Sequence, residues 1–155
     1  MKCADFYDSP FGKIILGADD AGLTDLFFES DKYFSAQVDE KINSPVIELA
    51  KNWLDIYFSG REPNFFPPLH IIGSPFKISV LNELKKIPYG MTTTYGALAK
   101  ILGTSARAVG GAVAHNRISI IIPCHRVIGA DGNLTGYAGG LDRKIKLLEL
   151  EKISL

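Results

Sequence analysis

Three short apolar stretches open the chain. Residues 4–8 (ADFYD), 12–18 (GKIILGA) and 22–30 (GLTDLFFES) are rich in aromatic and branched side chains. The intervening SPFG and DDAG supply turn chemistry, so the pattern predicts three strands. Residues 31–42 carry no decisive period and read as a short helix at most. The period then turns helical. Ser44 and Pro45 have the form of an N-cap and first helical position, and Val46, Leu49, Ala50, Trp53, Leu54 and Tyr57 follow at helical spacing until SGREP stops them. This first region offers no catalytic cluster, and its aromatic residues read as core.

Residues 59–75 form a connector punctuated by proline and glycine, which puts a domain boundary near residue 73 and divides the chain into 1–73 and 74–155. Ser74-Pro75 repeats the cap-then-proline signature. Phe76, Val80, Leu81, Leu84 and Ile87 give one apolar face, and Lys85 and Lys86 sit at the carboxyl end, where the helix dipole favours cations. PYG breaks that helix. Two further helices are predicted, one from a Thr94 cap to Leu102 and one from about Ser105 to Ala114, with Gly103 and Thr104 between them. Two helices joined by so short a turn describe a helix-turn-helix, an arrangement shared by DNA-binding domains and ordinary bundles.

The second helix of that pair is poor in side chains that read base edges. SARAVGGAVAHN offers Arg107 among Ala106, Ala108, Gly110, Gly111, Ala112 and Ala114. Its glycine pair costs roughly 1–2 kcal/mol relative to alanine, so something should compensate. Close packing against another helix would do so. Close approach of the backbone to a nucleic-acid groove, with one long cation able to wedge into the stack, would do so as well.

Composition narrows the choice. The 155 residues carry 17 basic and 17 acidic side chains, yet Lys+Arg and Asp+Glu number 6 and 12 over residues 1–73 and 11 and 5 over 74–155. The halves therefore stand at −6 and +6, which suits either two separately solvated surfaces or a basic half that meets a polyanion. No apolar run is long enough to span a bilayer, and MKCADFYDSPFGK lacks the apolar core of a secretory signal. Two cysteines, Cys3 and Cys124, cannot build a disulfide framework or a sulfur-rich zinc site. Free thiols suit a reducing compartment, so the expected location is the cytoplasm, or the nucleus of a eukaryote.

Cys124 lies between an apolar run and two cationic side chains, in IIIPCHRVIG. A sulfur is nucleophilic as the thiolate, and a neighbouring base or cation raises the thiolate fraction. His125 is adjacent in sequence, but neighbours on an extended chain point apart, so contact needs a turn or a bridging water. A histidine acting as a base also needs an orienting carboxylate, and Glu149 or Glu151 on LDRKIKLLELE could fold back to supply one. A buried packing cysteine is the alternative.

IPCHRVIG, preceded by IPYGMTTTYGALA and ARAVGGAVAHN and followed by GYAGGL and LLELE, resembles the methylated-DNA–protein-cysteine methyltransferases, the O6-alkylguanine-DNA alkyltransferases. The resemblance runs in order through residues 75–151, and reaches the first lobe through SPFGKIILGA. It implies a two-lobe α/β (α+β) fold: a small ribonuclease-H-like N-terminal lobe, then a mainly helical lobe with a winged-helix-like helix-turn-helix. It implies that Cys124 accepts the alkyl group, with His125 as a water-linked base, Glu151 as its orienting group and Asn116 as a hinge. Tyr95 would press on the phosphate 3′ of the target and protonate the departing guanine. Arg107 would replace the extruded base, while Thr94, Ala106, Ala108 and Gly110 meet the DNA. Pro123, Tyr137, Val127 and Ala138 would form the substrate pocket.

Ala138 stands where members of that family often have serine, but a backbone N–H contact survives the change. The turn between the two helices is shorter than in some relatives, which bears on the phosphate contacts. The implied partner is double-stranded DNA with an alkyl group on O6 of guanine or O4 of thymine. It would be bound through the minor groove by a monomer, without sequence preference and with no cofactor. With only Cys3 and His70 in the first lobe, no zinc is expected there. The rival classes are an alkylated-DNA-binding protein without catalysis, disfavoured by the presence of Cys124, and a Cys-His hydrolase, disfavoured by the lack of a recognisable oxyanion hole.

Overall fold

The computed structural model describes residues 3–31, 34, 36, 41–134 and 136–153, so most of the ambiguous 31–42 stretch lies outside the described residues. The first three apolar stretches form an antiparallel meander of β1 (Cys3–Ser9), β2 (Gly12–Ala18) and β3 (Leu23–Phe28). Phe6 faces Ile15 across one ladder and Leu16 faces Leu26 across the other. Every residue of β3 is buried, which an edge strand with one exposed face would not allow.

Two other segments cover the outer edge of β3. Leu23 N–H donates to the Pro68 carbonyl and His70 N–H donates to the Leu23 carbonyl, both at 2.8 Å. Further along, Leu26 N–H donates to the Arg117 carbonyl at 2.8 Å, and Ser119 N–H donates to the Leu26 carbonyl at 2.7 Å. The connector and the 117–119 segment therefore satisfy backbone groups that would otherwise form an open sheet edge.

Helix α1 (Pro45–Phe58) packs on this sheet. Ser44 caps it by accepting from Ile47 N–H, and Pro45 takes the first turn. The stripe it buries is Ile47, Ala50, Trp53, Leu54 and Tyr57; Val46 is half-buried and Leu49 is 39% exposed. The sequence pattern placed Val46 and Leu49 on that stripe and left out Ile47. The 47-50-54-57 row is its true centre, which moves Val46 and Leu49 to the flank.

Helix α2 (Pro75–Leu84) is capped by Ser74 and buries Val80, Leu81 and Leu84, with Ile87 buried just beyond its end. Phe76, expected on the same face, is 39% exposed. After the short strand β4 (Thr93–Thr94) come α3 (Tyr95–Leu102) and α4 (Ala106–Ala114), as the caps at Thr94 and Ser105 predict. The chain then runs through β5 (Val127–Ile128), parallel to β4, and ends in α5 (Leu141–Leu150). The core is continuous: Leu26, Phe28 and Tyr57 belong to the same buried cluster as Ile118, Ile122 and Leu147. Among the described residues no helix is long and apolar enough to cross a membrane.

Gly22 marks the tightest point of the sheet–connector junction. Its φ is +156°, and a Cβ there would stand 2.7 Å from the Pro68 carbonyl oxygen. Backbone cannot yield as a side-chain tip does, so Gly22→Ala should destabilise the fold by about 2–3 kcal/mol in urea denaturation. A shift within about 0.5 kcal/mol would show that the junction is loose.

Candidate active site

Residues 116–128 build the site as a clamped turn. The buried Asn116 side chain donates from Nδ2 to the Ile122 carbonyl at 2.9 Å and accepts at Oδ1 from Ile118 N–H at 3.0 Å. It thereby ties the end of α4 to the run that leads into Cys124. Ile120, fully buried, is held at φ 71°, in the left-handed region that a β-branched residue avoids. Pro123 (φ −81°, ψ 66°) closes an inverse γ-turn in which Cys124 N–H donates to the Ile122 carbonyl at 2.8 Å. Cys124–Arg126 then form a single 3₁₀ turn before β5 pairs with β4.

The Cys124 side chain is 7% exposed and lines a cavity of about 400 Å³ beneath α4. Tyr95, Gly110, Asn116, Tyr137 and Ala138 line it too, so the structure brings these expected site residues together. Ser119 shares the cavity and was not anticipated. His125, next to Cys124 in the 3₁₀ turn, is wholly buried, and Glu151 is 3% exposed. His125 Nε2 is 2.6 Å from Glu151 Oε2. Of the two candidate carboxylates, Glu149 is exposed and Glu151 is the one folded in.

Other expected site residues fall elsewhere. Ala106 and Arg107 are exposed on α4, with Ala108 half-buried beside them. The Thr94 hydroxyl accepts from Ala97 N–H at 3.0 Å and so serves as the α3 cap. Val127 is buried, and its carbonyl accepts from Lys144 Nζ at 2.7 Å. Pro123 is not among the residues around the thiol. It lines a separate cavity on the far side of the turn with Trp53, Tyr89 and Arg126, because the inverse γ-turn directs the ring away from the sulfur.

Glu151 collects four donors. Besides His125, Oε2 accepts from the Tyr57 hydroxyl at 2.6 Å, while Oε1 accepts from Arg126 Nε at 2.7 Å and from Gly90 N–H at 3.0 Å. Arg126 also donates to the Ile87 carbonyl at 2.8 Å. Burial alone would raise the Glu151 carboxyl, but hydrogen bonds and charge from His125 and Arg126 prevail and hold it at about 2. Burial lowers the His125 ring below its ordinary range despite the pull of Glu151, so the imidazole is neutral at pH 7. An ionised Oε2 accepts only, which puts the ring proton on Nε2 and leaves Nδ1 unprotonated. Nδ1 is buried and has no hydrogen-bond partner among the described residues.

Burial likewise pushes the Cys124 thiol up, opposed by a hydrogen bond to Asn116, the charge of Lys144 and Ser119. Lys144, fully buried, is itself lowered by burial to about 8. Tyr95 is raised by burial and by Cys124 and keeps its proton. The resting site therefore holds a thiol, a neutral imidazole and a phenol. It has a proton acceptor next to Cys124 in the 3₁₀ turn and a proton donor, Tyr95, in the cavity wall.

Sequence reasoning missed Tyr57, Arg126 and Lys144. A signal existed for Lys144: with Leu147, Leu148 and Glu151 it forms an i, i+3, i+4, i+7 row, and a lysine on an otherwise apolar stripe is anomalous. Tyr57 looked like one more core aromatic.

Two family models match the chain. One, described as the 6-O-methylguanine DNA methyltransferase ribonuclease-like domain, covers residues 3–71, and the other, the DNA binding domain of the same family, covers 75–153. The chain belongs to the 6-O-methylguanine DNA methyltransferase family. It is 46% identical to a methylated-DNA–protein-cysteine methyltransferase of Methanosarcina acetivorans over 94% of this chain and 95% of that protein. It is 44% identical to the protein of that name from Mycobacterium leprae, over 94% and 89%. A crystal structure of Mycobacterium tuberculosis OGT in complex with DNA superposes with a TM-score of 0.85 at 42% identity, covering 95% of this chain and 91% of that one. As in other members of this methyltransferase family, a ribonuclease-like unit here precedes a helix-turn-helix.

The depressed Glu151 value has a consequence for stability. A carboxyl held near 2 in the fold and about 4.3 when unfolded contributes stability that is complete above the unfolded value and is lost as pH falls toward 2. The lowered His125 acts in the same direction, its contribution fading below about pH 6.5. The wild type should therefore lose roughly 3 kcal/mol between about pH 4.5 and 2 in urea titrations, and Glu151→Gln should flatten that slope. An unchanged slope in Glu151→Gln would place the acid sensitivity elsewhere.

Proposed function

We propose that this chain repairs DNA by moving an alkyl group from O6 of guanine onto its own Cys124, once per molecule. The observation that carries the reading is the placement of Cys124 in a cavity of about 400 Å³ beneath a helix of small residues, in the same 3₁₀ turn as the His125 that pairs with Glu151. That volume lies in the range of small-ligand sites. Family membership supports the same chemistry.

The guanine is flipped into the cavity, since O6 is out of reach within the duplex. The Cys124 proton leaves toward His125 Nδ1, relayed by a water, while Glu151 holds the opposite nitrogen and stabilises the imidazolium. Sulfur attacks the carbon attached to O6, the S–C bond forms as the C–O6 bond breaks, and Tyr95 protonates the departing base. Lys144 places a buried positive charge toward the developing thiolate. The product is a thioether. A thioether is not cleaved by water at neutral pH. Cysteine is therefore consumed with its substrate.

The form of α4 fits contact with the minor groove, without sequence preference. Val109 and Val113 face the core, whereas a Cβ on Gly111 would meet nothing within 4 Å and one on Gly110 would only touch the Tyr95 ring at 3.8 Å. Packing inside the protein therefore does not require these glycines, and close approach of DNA is the remaining reason for them. Arg107, exposed at the first turn of α4, is positioned to fill the gap left by the flipped base. One bound copy suffices for the reaction, so a monomer is the working unit.

Intact-mass analysis after exposure to duplex bearing O6-methylguanine should show one methyl group per chain, located on Cys124, and none in Cys124→Ser. Turnover beyond one equivalent, or label on the serine variant, would sink the reading. Gly111→Ala provides a test of the DNA face. It should raise stability by about 0.5–1 kcal/mol through helix propensity while weakening binding to undamaged duplex severalfold. A variant that gains stability and binds DNA as tightly as wild type would remove α4 from the interface.

A further inference from the structure

Among the described residues the first lobe contributes nothing to the cavity wall around Cys124, yet one of its side chains enters the charge network of Glu151 and His125. Tyr57, in the last turn of α1, is fully buried. Its hydroxyl donates to Glu151 Oε2 at 2.6 Å and lies 3.4 Å from His125 Nε2. The two rings meet edge to face, with centroids 6.4 Å apart and planes at 76°. Its apolar surroundings, Trp53 stacked at 5.3 Å and Phe58 edge-on at 5.4 Å, would accept a phenylalanine equally well. A buried hydroxyl is costly unless bonded, and both polar atoms within its reach belong to the Glu151–His125 pair.

We propose that Tyr57 is a positioning residue for alkyl transfer, its hydroxyl fixing Glu151 Oε2 so that His125 bonds through Nε2 and turns an unprotonated Nδ1 toward Cys124. The inference rests on the alkyl-transfer reading above. A carboxylate has roughly four acceptor sites, and here two donors hold each oxygen. Removing the Tyr57 donor leaves Oε2 with His125 alone. The carboxylate then attracts the imidazole proton more strongly, and the ring loses the neighbour that limits its tilt. The first raises the proton affinity of Nδ1, so more of the ring is already protonated and unable to accept at a given pH, and the second loosens the aim of the base at the thiol proton.

The groups facing this pair come from several elements. Arg126 belongs to the active turn, Tyr89 and Gly90 N–H to the turn before β4, Lys144 to α5, and Tyr137 to the loop before α5. Of these, Arg126 and Lys144 carry charge at neutral pH.

The test is Tyr57→Phe in the full chain, with single-turnover transfer from O6-methylguanine duplex followed across pH. The rate at neutral pH should fall about tenfold, the loss of one hydrogen bond to a charged group. The acid limb of the profile should move to higher pH, and binding to undamaged duplex should not change. A lower melting temperature with an unmoved pH profile and wild-type rate would mean that Tyr57 only packs, and would overturn the proposal. Should the variant fail to fold, nitrogen NMR of the wild-type imidazoles decides, since the chain has three histidines. His125 should be the Nε2–H tautomer, and an Nδ1–H signal would overturn the proposal. If wild-type protein transfers no alkyl group, the reading of function falls, while the tautomer still reports on the positioning.

Discussion

A single buried carboxylate organises the molecule. Glu151 stands at the C-terminal cap of α5, where the helix dipole disfavours negative charge, and it is all but removed from solvent. Burying an unpaired charge costs several kcal/mol, so the fold is acceptable only if every lone pair finds a donor. The four donors come from three segments: Tyr57 on α1, Gly90 in the turn before β4, and His125 and Arg126 on the active turn. No two of the three segments can shift against each other without stripping a hydrogen bond from the charge. One residue thus fixes the seat of α1, the course of the chain into β4 and the pose of His125.

The second constraint is the edge of β3. Its backbone groups accept the 117–119 segment as a further strand, so the sheet of the first lobe sets the height at which the chain leaves α4. From there only a few residues remain before Cys124. Asn116 spans them from one side, and the left-handed Ile120 takes up the bend from the other. A conformation of this kind costs about 1–3 kcal/mol and persists only where the surroundings over-determine it. Here they do: Ile121 N–H and Ile122 N–H, after the strained residue, donate back across it to the Ser119 and Ile118 carbonyls before it.

Local chemistry was readable in the sequence wherever it acts over a few residues. The caps at Ser44, Ser74, Thr94 and Ser105 each accept the hydrogen bond that their place in the sequence predicts. Cys124, His125, Tyr95, Asn116 and Tyr137 could be nominated because their motifs are contiguous. What escaped were groups defined by distance in the chain. Tyr57 is 94 residues from the carboxylate it serves, and its helical period marks it only as core. Arg126 read as a flanking cation, but it is the ion partner of Glu151. The inward face of α1 was misjudged because Val46 and Leu49 are as apolar as Ile47, and only the sheet beneath decides which row is central.

Under the proposed reaction, the resting protonation of Cys124 is a protective feature. A thiolate exposed in an open pocket would react with any electrophile or oxidant small enough to enter, and an acceptor used once has no second chance. Burial keeps the sulfur protonated, and the imidazole next to it in the chain is neutral. Ionisation becomes favourable when several conditions are met together. The cavity must be filled so that bulk water is excluded, Lys144 must face the forming charge, and Tyr95 must be poised to give a proton to the group that leaves. A base seated in the cavity meets all three, whereas a small solute fills too little of about 400 Å³ to do so. Selectivity for the damaged base then lies less in contacts that read it than in a nucleophile that is created only in its presence.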